Sequence, residues 1–195
     1  MNSFWQEQHK NKNEYWLSGS NNAEYILDLH KIDKNISNNK ILDIGVGMGY
    51  LSRYLYSKKN TMFCSDISQI ALDNLNDIAS TYLTSDLSRI EPVDIAICNL
   101  VFQHCDDNEI QRILKDVQLK DSGFFTFQFA FLRENEEPNH KVKHLISIGT
   151  HHFRSLDKIK EMVKNANKKI IHLSEPIHYY GDENFSWYIV KVTNN

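Results

Sequence analysis

From residue 40 onward, apolar runs alternate with amphipathic stretches. The segments KILDIG (40–45), TMFCSD (61–66), TYLTSD (81–86), VDIAICNL (93–100) and GFFTFQFAF (123–131) read as strands. Between and after them, GYLSRYLYSKK (49–59), SQIALDNLNDIA (68–79), DNEIQRILKDVQL (107–119) and SLDKIKEMVKNAN (155–167) carry apolar residues at helical intervals. Leu51, Tyr54 and Leu55 share one face of the first, and Ile110, Ile113, Leu114 and Val117 one face of the third. Two last apolar runs, KIIHLS (169–174) and SWYIVKVT (186–193), have only a loop between them.

Repeated strand–helix units predict an α/β fold, a doubly wound, Rossmann-like sheet of seven strands with helices on both faces. The near-continuous apolar runs at 41–44 and 93–98 suit strands buried on both sides. Without a helix between them, the two last strands must pair antiparallel, as a C-terminal hairpin. Ahead of the core, Trp5, Tyr15 and Trp16 dot a polar stretch, and Ile26, Leu27 and Ile32 recur at helical spacing. The expected organisation of residues 1–195 is a single domain: an N-terminal helical cap over 1–37 and a core over 38–193, with a polar loop at 132–152 long enough to act as a lid.

Composition narrows the function. A chain of 195 residues with 41% apolar and 24% charged content is an ordinary globular protein. A net charge of −3 gives no general attraction to DNA. No apolar run approaches the roughly 18–20 residues of a membrane span, and residues 1–10 lack the build of a secretory signal. Cys64, Cys98 and Cys105 have no motif spacing and read as packed thiols. The expected compartment is therefore the cytoplasm.

The stretch ILDIGVGMGY (41–50) carries the chemistry. Gly45, Gly47 and Gly49 follow a buried strand at alternate positions, where a parallel sheet of this kind binds ligands. Glycine permits positive φ and removes the Cβ that would block a ligand. Dinucleotide sites use G-x-G-x-x-G, with a longer step to the third glycine, and no Gly-Lys-Ser/Thr follows as in a P-loop. Asp43, inside the strand, disfavours a pyrophosphate. It suits a ligand bearing an ammonium and a sulfonium.

At these residues the chain resembles the class I S-adenosylmethionine-dependent methyltransferases, over about residues 38–193. LDIGVGMGY is similar to the first motif of that family, FCSDIS (63–68) to its second strand, TSDL (84–87) to the segment after its third, and DIAICNLVFQHC (94–105) to its fourth strand and following loop. The resemblance implies S-adenosyl-L-methionine as cofactor and S-adenosyl-L-homocysteine as product. It implies Asp43, Gly45, Val46, Gly47 and Gly49 along the glycine turn and Asp66 on the ribose hydroxyls. Asp86 would receive the adenine amino group, with Leu87 or Ile67 on the ring, and Asn99 and Leu100 would run beside the methionine portion. An N-terminal helix in related enzymes often closes over the cofactor, which suggests Trp16 against the sulfonium and Tyr15 near the acceptor.

A neutral hydroxyl is a poor nucleophile, and general-base help is worth about 10²–10⁴-fold. His104, on the loop that borders the methyl group in related enzymes, is the expected catalytic base; histidine titrates near neutrality. Gln103, His151 and His152 are candidate acceptor contacts. His140 and His144 lie in the same polar loop, but no histidine–carboxylate spacing there matches a metal signature, so no metal is expected. Asp106 and Asp107 read as helix caps. The fourth-strand loop reads NLVF, without the paired prolines of enzymes that methylate base or glutamine nitrogens. The expected substrate is therefore a small-molecule hydroxyl. Small-molecule O-methyltransferases of the ubiquinone-pathway and sugar-modifying types have a similar loop, often with glutamate where Gln103 stands. The alternatives are a catalytically silent S-adenosylmethionine-binding protein or partner subunit, and a methyltransferase acting on RNA or protein. Lys141, Lys143, Arg154 and Lys158 would begin the basic surface the last requires.

Overall fold

The computed structural model describes residues 2–10, 23–131, 143, 151–179 and 182–195. Its strands are β1 (Lys40–Ile44), β2 (Thr61–Asp66), β3 (Ala79–Leu83), β4 (Val93–Cys98), β5 (Leu119–Phe131), β6 (Lys168–Leu173), β7 (Ile177–Tyr179) and β8 (Asp182–Asn194). Its helices are α1 (Asn2–Lys10), α2 (Ala23–Leu29), α3 (Tyr50–Ser57), α4 (Gln69–Asp73), α5 (Asp107–Asp116) and α6 (Leu156–Asn165). The strands hydrogen-bond in the order β3-β2-β1-β4-β5-β8-β6, with the short β7 beside β8. That path is the expected seven-strand sheet. β7 is an eighth strand that the sequence pattern, interrupted by Pro176, does not announce. By contact density the chain divides into two compact units, Met1–Ile97 with Val117–Gly123, and Cys98–Asp116 with Phe124–Asn195.

In the first unit β1 and β2 run parallel from Lys40↔Thr61 to Ile44↔Ser65, and β2 and β3 from Met62↔Ala79 to Asp66↔Leu83. Ile41, Leu42, Ile44, Met62 and Cys64 are almost fully buried, as their unbroken apolar runs require. α3 buries Leu51, Ser52 and Leu55, one face of its two turns. α4 is capped by Ser68, whose Oγ accepts from the Ala71 amide at 3.4 Å. It is shorter than the 68–79 periodicity predicts. Residues 74–78 turn instead, because β2 needs Ala79 as its first β3 partner. β3 is correspondingly shifted toward the N-terminus, and Thr84–Arg89 form a 3₁₀ turn where the expected strand ended. α1 packs on α4.

In the second unit β8 pairs antiparallel with β5, from Phe125↔Val192 to Phe131↔Ser186, and with β6 on its other edge. The C-terminal hairpin therefore forms as expected, with the last strand inside and β6 at the edge. Phe102, Phe125, Phe127 and Phe129 are fully buried. Phe102 meets Phe127 at 4.9 Å between ring centroids and Phe125 edge-on at 6.2 Å. Burial of this kind contributes about 2–3 kcal/mol per ring. Asp106 and Glu109 cap α5 reciprocally: the Glu109 amide donates to Asp106 Oδ1 at 2.8 Å, and the Asp106 amide to Glu109 Oε2 at 2.9 Å. α6 starts at Ser155, whose Oγ accepts from the Lys158 amide at 3.2 Å, and Gln111 Nε2 donates to the Met162 carbonyl at 3.1 Å, tying α5 to α6.

Gly49 closes the bend between β1 and α3. Its φ is +77°, and a Cβ there would lie 2.5 Å from Cδ2 of the buried Leu75. Gly49→Ala adds a left-handed strain to an overpacked contact and is expected to destabilise the protein by about 2–3 kcal/mol, read from urea midpoints. A midpoint equal to the parent's would show that Leu75 and the bend yield freely.

Candidate functional site

The bend after β1 is held from β2. The amides of Gly45 and Val46 both donate to the Ser65 carbonyl, at 2.6 and 3.3 Å, and the Gly49 amide to the Val46 carbonyl at 2.8 Å. Gly45, Gly47 and Gly49 all have positive φ. At Gly47 a Cβ would meet nothing within 4 Å. Its missing side chain therefore leaves open space, where that of Gly49 leaves room for Leu75.

Asp66, at the tip of β2, is buried, and the backbone amides of Gly47, Ile67 and Ser68 all favour its ionised form. The Ser68 amide donates to Oδ1 at 2.8 Å and the Gly47 amide to Oδ2 at 3.2 Å. A carboxylate has about four acceptor positions, so it can also accept from a ribose hydroxyl. Burial raises the Asp66 pKa, against the backbone bonds and the charge of His9, which favour the ionised form. Asp43, also buried, accepts from Ser52 Oγ at 2.6 Å. Burial pushes its carboxyl up to about 6, with the Ser52 bond lowering it and the nearby Asp66 charge raising it further. Two buried carboxylates close together suit a cationic ligand. Asp86 is partly exposed, 4.0 Å from Arg89 in the 3₁₀ turn. Leu87 is sealed in the core, while Val46 is buried and Ile67 half-buried. The residues of this unit fit an adenosyl sulfonium: open space at Gly47, a diol acceptor at Asp66 and buried negative charge at Asp43.

His9 belongs to this unit and was not singled out by the sequence pattern. It sits on α1 at 6% exposure, and neither ring nitrogen has a hydrogen-bond partner among the described residues. A single histidine in a polar segment carries no periodic or motif signal.

The second unit holds the loop after β4. Asn99 and Leu100 are half-buried, and Leu100 has φ +58°. Phe102–His104 form a 3₁₀ turn. The His104 ring stands edge-on to His151, 4.8 Å between centroids. Gln103 Nε2 lies 3.4 Å from His104 Nε2, while the buried Gln103 Oε1 has no partner among the described residues. The His152 amide donates to the Gln103 carbonyl at 2.6 Å. Burial, then the charges of His104 and His152, lower the His151 pKa to about 4, so its imidazole is neutral at pH 7. The structure thus brings His104, Gln103, His151 and His152 together. Tyr15, Trp16, His140, Lys141 and His144, with most of the 132–152 loop, lie outside the described residues.

Arg154 assembles this group, and it is not the surface cation that the sequence suggests. At 6% exposure it donates from Nη1 to the carbonyls of Phe102 and His152, from Nη2 to that of Cys105, and from Nε to Asp107 at 2.8 Å. One guanidinium therefore fixes the turn that carries His104 against the segment that carries His151. Cys64, Cys98 and Cys105 are buried thiols outside any disulfide, and burial pushes Cys64 and Cys105 up to about 12. Among the described residues no three metal-ligating side chains converge.

Comparisons agree with this geometry. Residues 41–123 match the family model described as "Methyltransferase domain". No curated protein matches the chain in sequence. Magnesium protoporphyrin IX methyltransferase from Synechocystis PCC 6803, solved with S-adenosylhomocysteine bound, is 13% identical with a TM-score of 0.69, over 100% of this chain and 99% of its own. CalO1, a methyltransferase in calicheamicin biosynthesis also solved with S-adenosylhomocysteine, is 12% identical with a TM-score of 0.61 over 89% of this chain. The chain spans only 54% of the length of that protein. The [4+2]-cyclase SpnF is 12% identical with a TM-score of 0.62, over 88% of this chain and 79% of its own. The fold is that of the class I S-adenosylmethionine-dependent methyltransferases. Within it, residues 41–123 are similar to a methyltransferase domain, and two of these neighbours hold S-adenosylhomocysteine.

Two outcomes follow from the charges. Folded Asp43 keeps its proton to about pH 6, whereas in the unfolded chain it ionises near 3.8. The folded state therefore binds more protons across that interval, and stability falls as pH rises from about 4 to 6. Asp43→Asn removes this loss, so its stability relative to the parent should rise by about 2–3 kcal/mol between pH 4 and pH 7. A pH-independent difference in urea unfolding would contradict it. Arg154→Met leaves three carbonyls without their donor, at an expected cost of about 3 kcal/mol, and should move the ring resonances of both His104 and His151. Unchanged resonances would separate Arg154 from the histidine pair.

Proposed function

We propose that the protein methylates a hydroxyl oxygen of a small molecule, with His104 as the general base. The observation that carries this reading is the pairing of His104 with His151, a neutral imidazole beside a second imidazole on a turn locked by Arg154. S-adenosylmethionine supplies an electrophilic methyl group on a sulfonium. Asp66 holds the ribose diol, the bend at Gly45, Gly47 and Gly49 gives backbone access, and Asp43 contributes the negative field that favours the cation. Asp86 and Ile67 serve the adenine, Asn99 and Leu100 the methionine portion. His104 takes the hydroxyl proton on a ring nitrogen, beside Gln103, whose Nε2 stands 3.4 Å from His104 Nε2. His151 and His152 line the acceptor side.

Two of the structural neighbours are named for small-molecule work, calicheamicin biosynthesis and magnesium protoporphyrin IX, which supports a small acceptor here. Burial of Arg154 weakens the basic surface that an RNA substrate would need. Three buried thiols outside any disulfide are consistent with the reducing cytoplasm, and among the described residues no helix is long and apolar enough to cross a membrane. A second reading, a cofactor-binding protein that does not methylate, is favoured by the likeness to a neighbour named as a cyclase.

Two variants test the assignment. Asp66→Ala should weaken S-adenosylhomocysteine binding at least ~10-fold by calorimetry, since a buried pair of hydroxyl bonds is lost. His104→Ala should leave that affinity intact and slow methyl transfer by about 10²–10⁴-fold. The assay is label from methyl-labelled S-adenosylmethionine into a panel of phenolic and aliphatic hydroxyl metabolites. Transfer that survives without His104 removes the base. Tight cofactor binding with no labelled product across the panel favours the second reading.

A further inference from the structure

His9 is a buried titratable side chain for which the methyl-transfer chemistry has no use. It lies on α1, which packs on α4, and α4 begins three residues after Asp66. It is 6% exposed, and both ring nitrogens lack a hydrogen-bond partner among the described residues. Leaving such nitrogens unsatisfied costs about 1–3 kcal/mol, so a buried orphan of this kind calls for a partner beyond the described residues. The packing of α1 on the helix that follows Asp66 brings His9 toward the tip of β2, and a charge on His9 favours the ionised carboxylate.

The chemistry of Asp66 defines what that partner is. An ionised carboxylate only accepts hydrogen bonds. A ribose hydroxyl that donates to it still has oxygen lone pairs to satisfy, in a place where water is scarce. An imidazole N–H is the donor that completes the hydroxyl. We propose that His9 is a ribose-binding residue of the cofactor site, donating to a hydroxyl that Asp66 accepts from, so that α1 and β2 read the vicinal diol of adenosine together. This rests on Asp66 being the ribose acceptor. Asp66 and His9 together then make the site select ribonucleosides over their deoxy counterparts, with the donor and the acceptor on different elements.

The test is a binding cycle that needs no turnover. Calorimetry would measure the dissociation constants of S-adenosylhomocysteine and its 2′-deoxy and 3′-deoxy analogues on the parent, His9→Phe, His9→Gln and Asp66→Asn. His9→Phe keeps the ring volume and removes the donor. It should weaken S-adenosylhomocysteine about 5–10-fold, the value of one hydrogen bond. The penalty for removing one particular hydroxyl should shrink by the same factor, because that hydroxyl no longer meets its donor. His9→Gln, which restores an N–H, should recover part of the affinity, and it carries the test if His9→Phe does not fold. Parent affinity in His9→Phe, or an equal loss for all three ligands, would overturn the proposal and leave His9 as packing. If Asp66→Asn binds S-adenosylhomocysteine as the parent does, the ribose site itself is elsewhere. A weakened Asp66→Asn beside an unaffected His9→Phe removes His9 alone.

Discussion

The amide of Gly47 and the carboxylate of Asp66 share one hydrogen bond, and the glycine bend of the first unit is organised around it. That bond needs a bend after β1 that turns an N–H toward the tip of β2. The bend needs positive φ at Gly45, Gly47 and Gly49. The register of β1 on β2 then sets Ser65 to receive two further amides from the same bend. A backbone that satisfies its own donors in this way holds its shape without side chains, so the space beside Gly47 stays open.

Around this bond the electrostatics are unfavourable to the protein alone. Asp43 and Asp66 are both buried, and both carboxyls are pushed upward in pKa. Their partners are few: one hydroxyl for Asp43, backbone amides for Asp66. Such an arrangement costs stability and is repaid by a cation, a common feature of sites that trade fold energy for recognition. In the proposed function the ammonium and sulfonium of S-adenosylmethionine supply that charge.

The second unit solves a different problem. It must hold a loop that carries histidines rather than a regular element, and loops hold side chains poorly. Arg154 substitutes for a strand. It satisfies three carbonyls that no ladder reaches, and Asp107 balances its charge at the start of α5. The two imidazoles are then close enough that one is kept neutral by burial and by the other.

Local patterning carries the sheet and most of the glycine bend with its carboxylates, because each depends on short-range rules. Strand runs follow apolar continuity, the C-terminal hairpin follows from the missing helix, and the glycine bend with Asp43 and Asp66 is contiguous with strands legible in isolation. Where α4 stops was not legible, since pairing of Ala79 with Met62 overrides the helical period at 74–78. His9, Arg154 and the contact of His104 with His151 were also hidden. Sequence by itself determined the chemistry available and the order of elements, through spacing along the chain. Only the tertiary structure decided which charges are buried and which side chains meet across 47 residues or more, because burial and contact at that range depend on packing that no local pattern encodes.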